Sequence, residues 1–191
     1  MQELMIDFET LATTPNAAVL SLGACFFDLE NDRIGATFEM VFSIQEQFDA
    51  GRKVEADTLK WWMQQSGAAK KVFHEQAKTP EFILKTFSKW VTDNCLMSKV
   101  KPWGNGATFD ITLIENLFRQ YGVKCPWTYD SIMDVRTFRR FVAGGAKIPV
   151  AQGTHHNALD DAKNQATFVI EQHKFYKEML QTYANIAKGN K

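Results

Sequence analysis

Four carboxylates and one histidine, set in three short segments far apart along the chain, carry the chemistry this sequence offers. The segments are Ile6-Asp7-Phe8-Glu9-Thr10, Asn105-Gly106-Ala107-Thr108-Phe109-Asp110 and His156-Asn157-Ala158-Leu159-Asp160-Asp161. Brought into one cleft, Asp7, Glu9, Asp110 and Asp161 repel one another strongly. Divalent cations remove that repulsion and make the cluster a two-metal site for cutting phosphodiesters. A neutral imidazole at His156, close to an attacking water, is suited to taking its proton. Oxygen ligands suit hard cations, Mg²⁺ or Mn²⁺, and the absence of clustered cysteines argues against zinc.

Each segment also has a plain reading. Asp7 and Glu9 could end a solvated strand, Asp110 could compensate a helix N-terminus, Asn105 could make a turn, and His156 could cap a helix or sit on the surface. Asp7 tips the balance, because it follows Leu4-Met5-Ile6 in what reads as a central strand. A charge there is costly unless it is paired or bound to metal.

The elements that must position these residues follow from the apolar pattern. Residues 3–8, 17–28 and 34–43 read as strands, the last two joined as an antiparallel hairpin at Asn31-Asp32. On a strand, Asp7 and Glu9 share a face, so Phe8 between them points to the opposite one, into the core. A helix is expected over Ala56 to Gln65, with Leu59, Trp62 and Met63 on one side, and a short second helix over 66–77. Thr79-Pro80-Glu81 opens another helix, with Thr79 as its cap and Phe82, Ile83, Phe87, Trp90 and Val91 on the buried face. Residues 99–104 form a fourth strand. Thr108 to Tyr121 form a helix with Ile111, Ile114, Leu117 and Phe118 inward, so that Asp110 lies in its opening turn. A short strand near 127–133, a helical turn over Val135 to Val142 and a loop around Gly144-Gly145 come next. The last helix runs from Ala158 to about Tyr183. His156 just before it and Asp161 in its first turns can reach one cleft, whereas Asp160 points elsewhere by about 100°. His155, His74 and His173 lack that spacing to an acid. This mixed order gives an α/β domain with a sheet of about five strands, one of them antiparallel, and helices on both faces. Residues 1–183 form one domain, and 184–191 are expected to fray.

The 191 residues include 22 Lys and Arg against 22 Asp and Glu, so the formal net charge is zero. That balance gives no support to tight, sequence-independent duplex binding. It suits an enzyme that grips only a strand end. The three cysteines Cys25, Cys95 and Cys125 are widely spaced. With no secretory leader and no run of transmembrane length, they imply a reducing, cytoplasmic setting with no membrane contact.

The three segments resemble the motifs of the DEDDh (DnaQ-like) exonucleases: Asp-x-Glu at Asp7 and Glu9, Asn-x-x-x-Phe/Tyr-Asp at Asn105, Phe109 and Asp110, and His-x-x-x-x-Asp at His156 and Asp161. The match spans residues 7–161 in order and spacing. Trp61-Trp62, the run from Trp103 to Asp110, and Asp134-Val135-Arg136-Thr137 are similar to the small stand-alone enzymes of mycobacterial exoribonuclease and phage exonuclease type. Proofreading subunits often carry Thr-Thr-Gly after the first motif, where this chain has Thr10-Leu11-Ala12.

The resemblance implies a ribonuclease H-like fold. It also implies 3′→5′ hydrolysis of single-stranded nucleic acid to nucleoside 5′-monophosphates, with RNA favoured over DNA. Asp7, Glu9, Asp110 and Asp161 would hold two Mg²⁺ or Mn²⁺ ions, and His156 would act as the base. Thr10, Leu11, Trp61, Trp62, Asn105, Phe109 and Arg136 are the expected substrate contacts, and a homodimer is compatible with it. One of the two consecutive tryptophans could stack on a terminal base, or both could pack. Arg136 could clamp a phosphate or pair with Asp134. The alternatives are a module on the same fold that holds strand ends without cutting them, and a structural α/β domain.

Overall fold

Leu4, Ile6 and Phe8 alternate with Met5, Asp7 and Glu9 along β1 (Glu3–Thr10), and the alternation sends the two sets to opposite faces. The first set joins the larger core cluster, and Met5 joins a second cluster on the other side. The computed structural model describes residues 1–142, 144, 147, 148 and 153–189. These form one five-stranded sheet in the order β3-β2-β1-β4-β5. β2 (Val19–Asp28) pairs antiparallel with both β1 and β3 (Arg33–Val41), giving the expected hairpin. β4 (Lys101–Gly104) runs parallel to β1, and β5 (Met133–Asp134) parallel to β4. β2 is the one antiparallel strand, and it is buried from Val19 to Phe27. That two-sided burial explains its near-continuous apolar run.

Helices cover both faces. On the Leu4–Phe8 face lie α3 (Pro80–Asn94) and α4 (Asp110–Gln120), through Ile83, Phe87, Ile111, Ile114 and Leu117. Thr79 caps α3 as expected, its hydroxyl accepting the Phe82 N–H at 3.2 Å, with Pro80 at the first helical position. On the Asp7–Glu9 face lies α6 (Ala158–Gly189), which seats Ala162, Ala166 and Val169 against Met5, Cys25 and Phe27. No described helix is long and apolar enough to cross a membrane.

Several local expectations differ from what forms. Residues 66–77 contain only a 3₁₀ turn, Ala69–Phe73. A short helix, α1 (Ile44–Asp49), was not expected; its buried residue is the polar Gln47, which bonds both the N–H and the C=O of Val19. In α2 (Ala56–Gln64), Trp62 alone is buried, while Leu59 and Met63 are exposed. Phe82 is exposed too, because it lies in the first turn of α3 on the side away from the sheet. After α5 (Val135–Phe141), Gly145 of the expected loop lies outside the described residues. α6 continues as helix to Gly189, past the expected start of fraying at 184.

Candidate active site

The site forms where the ends of β1 and β4 meet the starts of α4 and α6. Asp7 lies opposite Gly23 in the β1–β2 register. A Cβ on Gly23 would overlap the Ala158 backbone, so the missing side chain lets the start of α6 settle directly on the sheet beside the acids. Gly104 does the same for α4. A Cβ there would stand 2.9 Å from the Asp110 Cβ, so glycine lets Asp110 lean over the end of β4.

The entry to α6 is built from side chains that reach backwards. The Asn157 carboxamide oxygen accepts the Asp160 N–H at 2.9 Å, and Asp160 in turn accepts the Thr154 N–H at 2.8 Å. Asp160 is thereby turned to the loop, as its angular offset from Asp161 requires. Asp161 accepts the backbone N–H of His156 at 3.1 Å. This bond explains the five-residue spacing, because the carboxylate reaches back one turn to the residue before the cap. His156 adopts φ +63°, a left-handed conformation unusual for a side chain of that size. Carboxylate or imidazole atoms of Glu9, His156 and Asp161 lie within 4.8 Å of one another.

Asp7, Glu9, Asn105, His156 and Asp161 line one cavity of about 310 Å³. Burial, reinforced by the charges of Asp110 and Glu9, pushes the Asp7 carboxyl well above the usual range. Burial and then the Asp161 and Asp110 charges raise Glu9 to about 8. Asp110 is pushed up to about 7 by burial, opposed by the Arg136 guanidinium and the N–H groups of Asp110 and Asn105. Burial raises Asp161 as well. His156 moves down, first through burial and then through the neighbouring His155. Burial raises all four carboxyls, and the charges of neighbouring motif acids add to it at Asp7 and Glu9, so the site is short of positive charge. The described residues therefore fit a hard divalent cation, with oxygen donors from three elements and one imidazole at their edge.

The expected substrate residues divide. Trp62 is buried, its ring N–H donating to the Thr10 carbonyl at 2.9 Å, and it packs with Leu11 in a small core cluster. Leu11 is thus turned away from the cleft, while the buried Trp62 reaches its edge, ring centroid 6.4 Å from that of His156. Trp61 is 39% exposed and lies edge-on to His156, ring centroids 4.7 Å apart. It lines an open groove of about 800 Å³ that also includes Thr10, Thr13, Glu55 and Thr58 and joins the cavity at Phe8 and Glu9. Thr10 is half-buried and its hydroxyl donates to the Ala12 carbonyl. Phe109 is half-buried against the larger core. Arg136 does not form a salt bridge with Asp134 among the described residues. Asp134 instead caps α5 through the Thr137 N–H and accepts the Ala107 N–H at 2.7 Å, while the Arg136 guanidinium lies over Gly106.

Ile148, His155, Asn164 and Gln165 also line the cavity without having been expected there, and two of them bear on the motif residues. His155, lacking the spacing to an acid, nonetheless lines the cavity, its ring 3.8 Å from that of His156. Gln165 donates to Asp7 Oδ1 at 2.8 Å. Its only signal in the sequence is its place one helical turn after Asp161.

Residues 2–172 match the model of the Rv2179c-like 3′-5′ exoribonuclease domain. The chain belongs to this family. The three motif segments all fall within the matched residues. An exodeoxyribonuclease of Enterobacteria phage T4 is 31% identical over 130 residues, which is 62% of this chain and 56% of the relative. The chain thus spans about half the length of that curated relative. Among solved structures, the nuclease domain of 3′hExo, a DEDDh family member bound to rAMP, superposes with a TM-score of 0.60 at 16% identity, covering 90% of this chain and 91% of that one. E. coli exonuclease I in complex with a dT13 oligonucleotide superposes with a TM-score of 0.66 at 14% identity, covering 95% of this chain and 42% of that one. These likenesses show the ribonuclease H-like fold of the family.

Proposed function

We propose that this protein is a divalent-cation-dependent 3′→5′ exonuclease that removes nucleoside 5′-monophosphates from single-stranded nucleic acid, RNA in preference to DNA. The observation that carries the reading is the gathering of Asp7, Glu9, His156 and Asp161 around one cavity, with Asp110 close enough to act on Asp7 and Glu9 and every carboxyl held above its usual range. Burying four acids together has no structural use that apolar residues would not serve better. It has a use if cations bind there.

Asp7, Glu9, Asp110 and Asp161 would hold two Mg²⁺ or Mn²⁺ ions. When bound, these supply charge neutralisation, a nucleophile at neutral pH and stabilisation of the departing oxygen. His156, kept neutral by burial and by His155, accepts a proton from the attacking water. The water oxygen forms the new bond to phosphorus, and the bond from phosphorus to the 3′ oxygen of the preceding nucleotide breaks. That oxygen takes up a proton from solvent. Trp61, exposed in the groove beside Glu9, offers a face or edge to the terminal base. Arg136, over Gly106 and next to Asp110, supplies positive charge for a phosphate.

The description of the family as exoribonucleases supports RNA. The experiment is digestion of RNA and DNA oligonucleotides of one sequence with Mn²⁺, with products identified by mass spectrometry. Nucleoside 5′-monophosphates, released faster from RNA, are expected. Faster release from DNA would reverse the substrate assignment, and release of 3′-monophosphates would overturn the proposed chemistry.

A further inference from the structure

We infer that Gln165 is a positioning residue for Asp7: its carboxamide fixes the orientation of that carboxylate without neutralising it. The inference rests on the exonuclease reading and adds to it a residue outside the three motifs.

Gln165 is 5% exposed and lies on α6 one turn beyond Asp161, facing the cavity. Its Nε2 donates to Asp7 Oδ1 at 2.8 Å. The orientation of the amide is dictated by its partner, since a carboxylate accepts and only the nitrogen end can donate. The oxygen end is therefore turned away from Asp7, and Oε1 is buried with no hydrogen-bond partner among the described residues. An unpartnered buried acceptor is costly. The surroundings offer a cheaper solution, because α6 otherwise meets the sheet through Ala162, Ala166 and Val169. An apolar side chain would satisfy the packing.

The choice of an amide makes sense against the charges around it. Lysine or arginine at this position would neutralise Asp7 and compete with a cation for it. Glutamate would add a further acid to a cluster in which Asp110, Glu9 and Asp161 already act on Asp7. A neutral N–H donor occupies one lone-pair direction of Oδ1 and leaves the other acceptor sites of the carboxylate for cations. A hydrogen-bond partner behind a metal ligand commonly contributes about 10–100-fold to metal affinity. Tethering Asp7 on β1 to α6 also couples the first motif to the helix that carries the third.

The test compares wild type, Gln165→Met, Asp7→Asn and the double variant, each as the full chain. Mn²⁺ binding is followed by electron paramagnetic resonance, and melting temperature and oligonucleotide kinetics are measured alongside. Gln165→Met keeps length and volume but cannot donate. Its Mn²⁺ affinity should fall about 10–100-fold, kcat should fall at limiting Mn²⁺ and recover in part at high Mn²⁺, and KM for the oligonucleotide should hold. The melting temperature should be unchanged or higher. In the Asp7→Asn background, the same substitution should change Mn²⁺ affinity by less than about twofold. Should Gln165→Met fail to fold, Gln165→Asn, whose amide falls one methylene short of Asp7, is expected to show the same losses. Wild-type Mn²⁺ affinity and kcat in either Gln165 variant would overturn the inference, as would an equal loss in both backgrounds. Wild-type protein that binds no Mn²⁺ would overturn the exonuclease reading with it, whereas wild-type binding beside an unaffected Gln165 variant would overturn the positioning role alone.

Discussion

Gly23 on β2 lies directly beneath the backbone of Ala158, the first residue of α6. This contact sets the height of α6 above β1, and through it the distance from His156 and Asp161 to Asp7 and Glu9. Nothing but hydrogen fits between them. Gly23→Ala is therefore expected to lift the start of α6 or break its first turn, at a cost of about 1–3 kcal/mol or more. Urea denaturation should show the loss, and Mn²⁺ affinity should fall with it. Unchanged stability and affinity would mean that the sheet yields and that this contact does not position the site.

Removing one charge from the cluster should separate function from folding. Asp7→Asn is expected to abolish measurable turnover, because an amide is a poor ligand for a hard cation. Metal-free stability near neutral pH should be kept or raised, since desolvation and the Asp110 and Glu9 charges all oppose ionisation of Asp7. Each kcal/mol gained would raise the melting temperature by about 2–4 °C in a chain of this size. Near-normal cation-dependent turnover in Asp7→Asn would sink the mechanism.

The same charges make metal-free stability pH-dependent. Glu9 and Asp110 have folded-state values of about 8 and about 7, well above their ordinary 4.5 and 3.8. The folded state therefore binds protons that the unfolded chain has already released. Stability is then highest below the ordinary carboxylate range and is lost as pH rises through the raised values. With a chelator present, the melting temperature should fall between about pH 5 and about pH 8, and saturating Mg²⁺ should remove most of that slope. Parallel profiles with and without Mg²⁺ would show that the acids do not share a cation.

The motif positions were legible because each depends on a short-range rule. Strand alternation puts Asp7 and Glu9 on one face, and the side chain of Asp161 reaches the N–H of His156 across one turn. The hairpin, the Thr79 cap and the inward stripe of α4 were legible for similar reasons. Other features depend on contacts far apart in the chain. Trp61 and Trp62 are adjacent, chemically alike and both edge-on to His156, and only the bond from Trp62 to the Thr10 carbonyl shows which one is buried and which one stays open in the groove. Helix α1 hid behind its buried Gln47, whose partner Val19 lies at the start of β2. Gln165 looked like an ordinary helical amide until α6 was laid over β1.

The two neighbouring histidines should behave differently. His156→Ala is expected to lose about 10²–10⁴ in rate, the usual contribution of a positioned general base, while His155→Ala loses much less. With His156 held below the ordinary histidine value, the rate at saturating cation should stay level through neutrality and fall only in acid, as the imidazole is protonated. His155→Ala should move that fall to higher pH, since His155 is one cause of the depression. Equal losses in the two variants would mean that the base is wrongly assigned.

The most direct measurement sets a linear single strand carrying a 5′ label and a free 3′-hydroxyl against a covalently closed circle of the same sequence, each incubated with the protein and Mn²⁺. The linear strand should shorten one nucleotide at a time from its 3′ end, a 3′-phosphate should slow it strongly, and the circle should persist. A circle cut as fast as the linear strand, or a linear strand that remains intact at every Mn²⁺ concentration, would contradict the assignment of this site to 3′→5′ exonucleolytic hydrolysis.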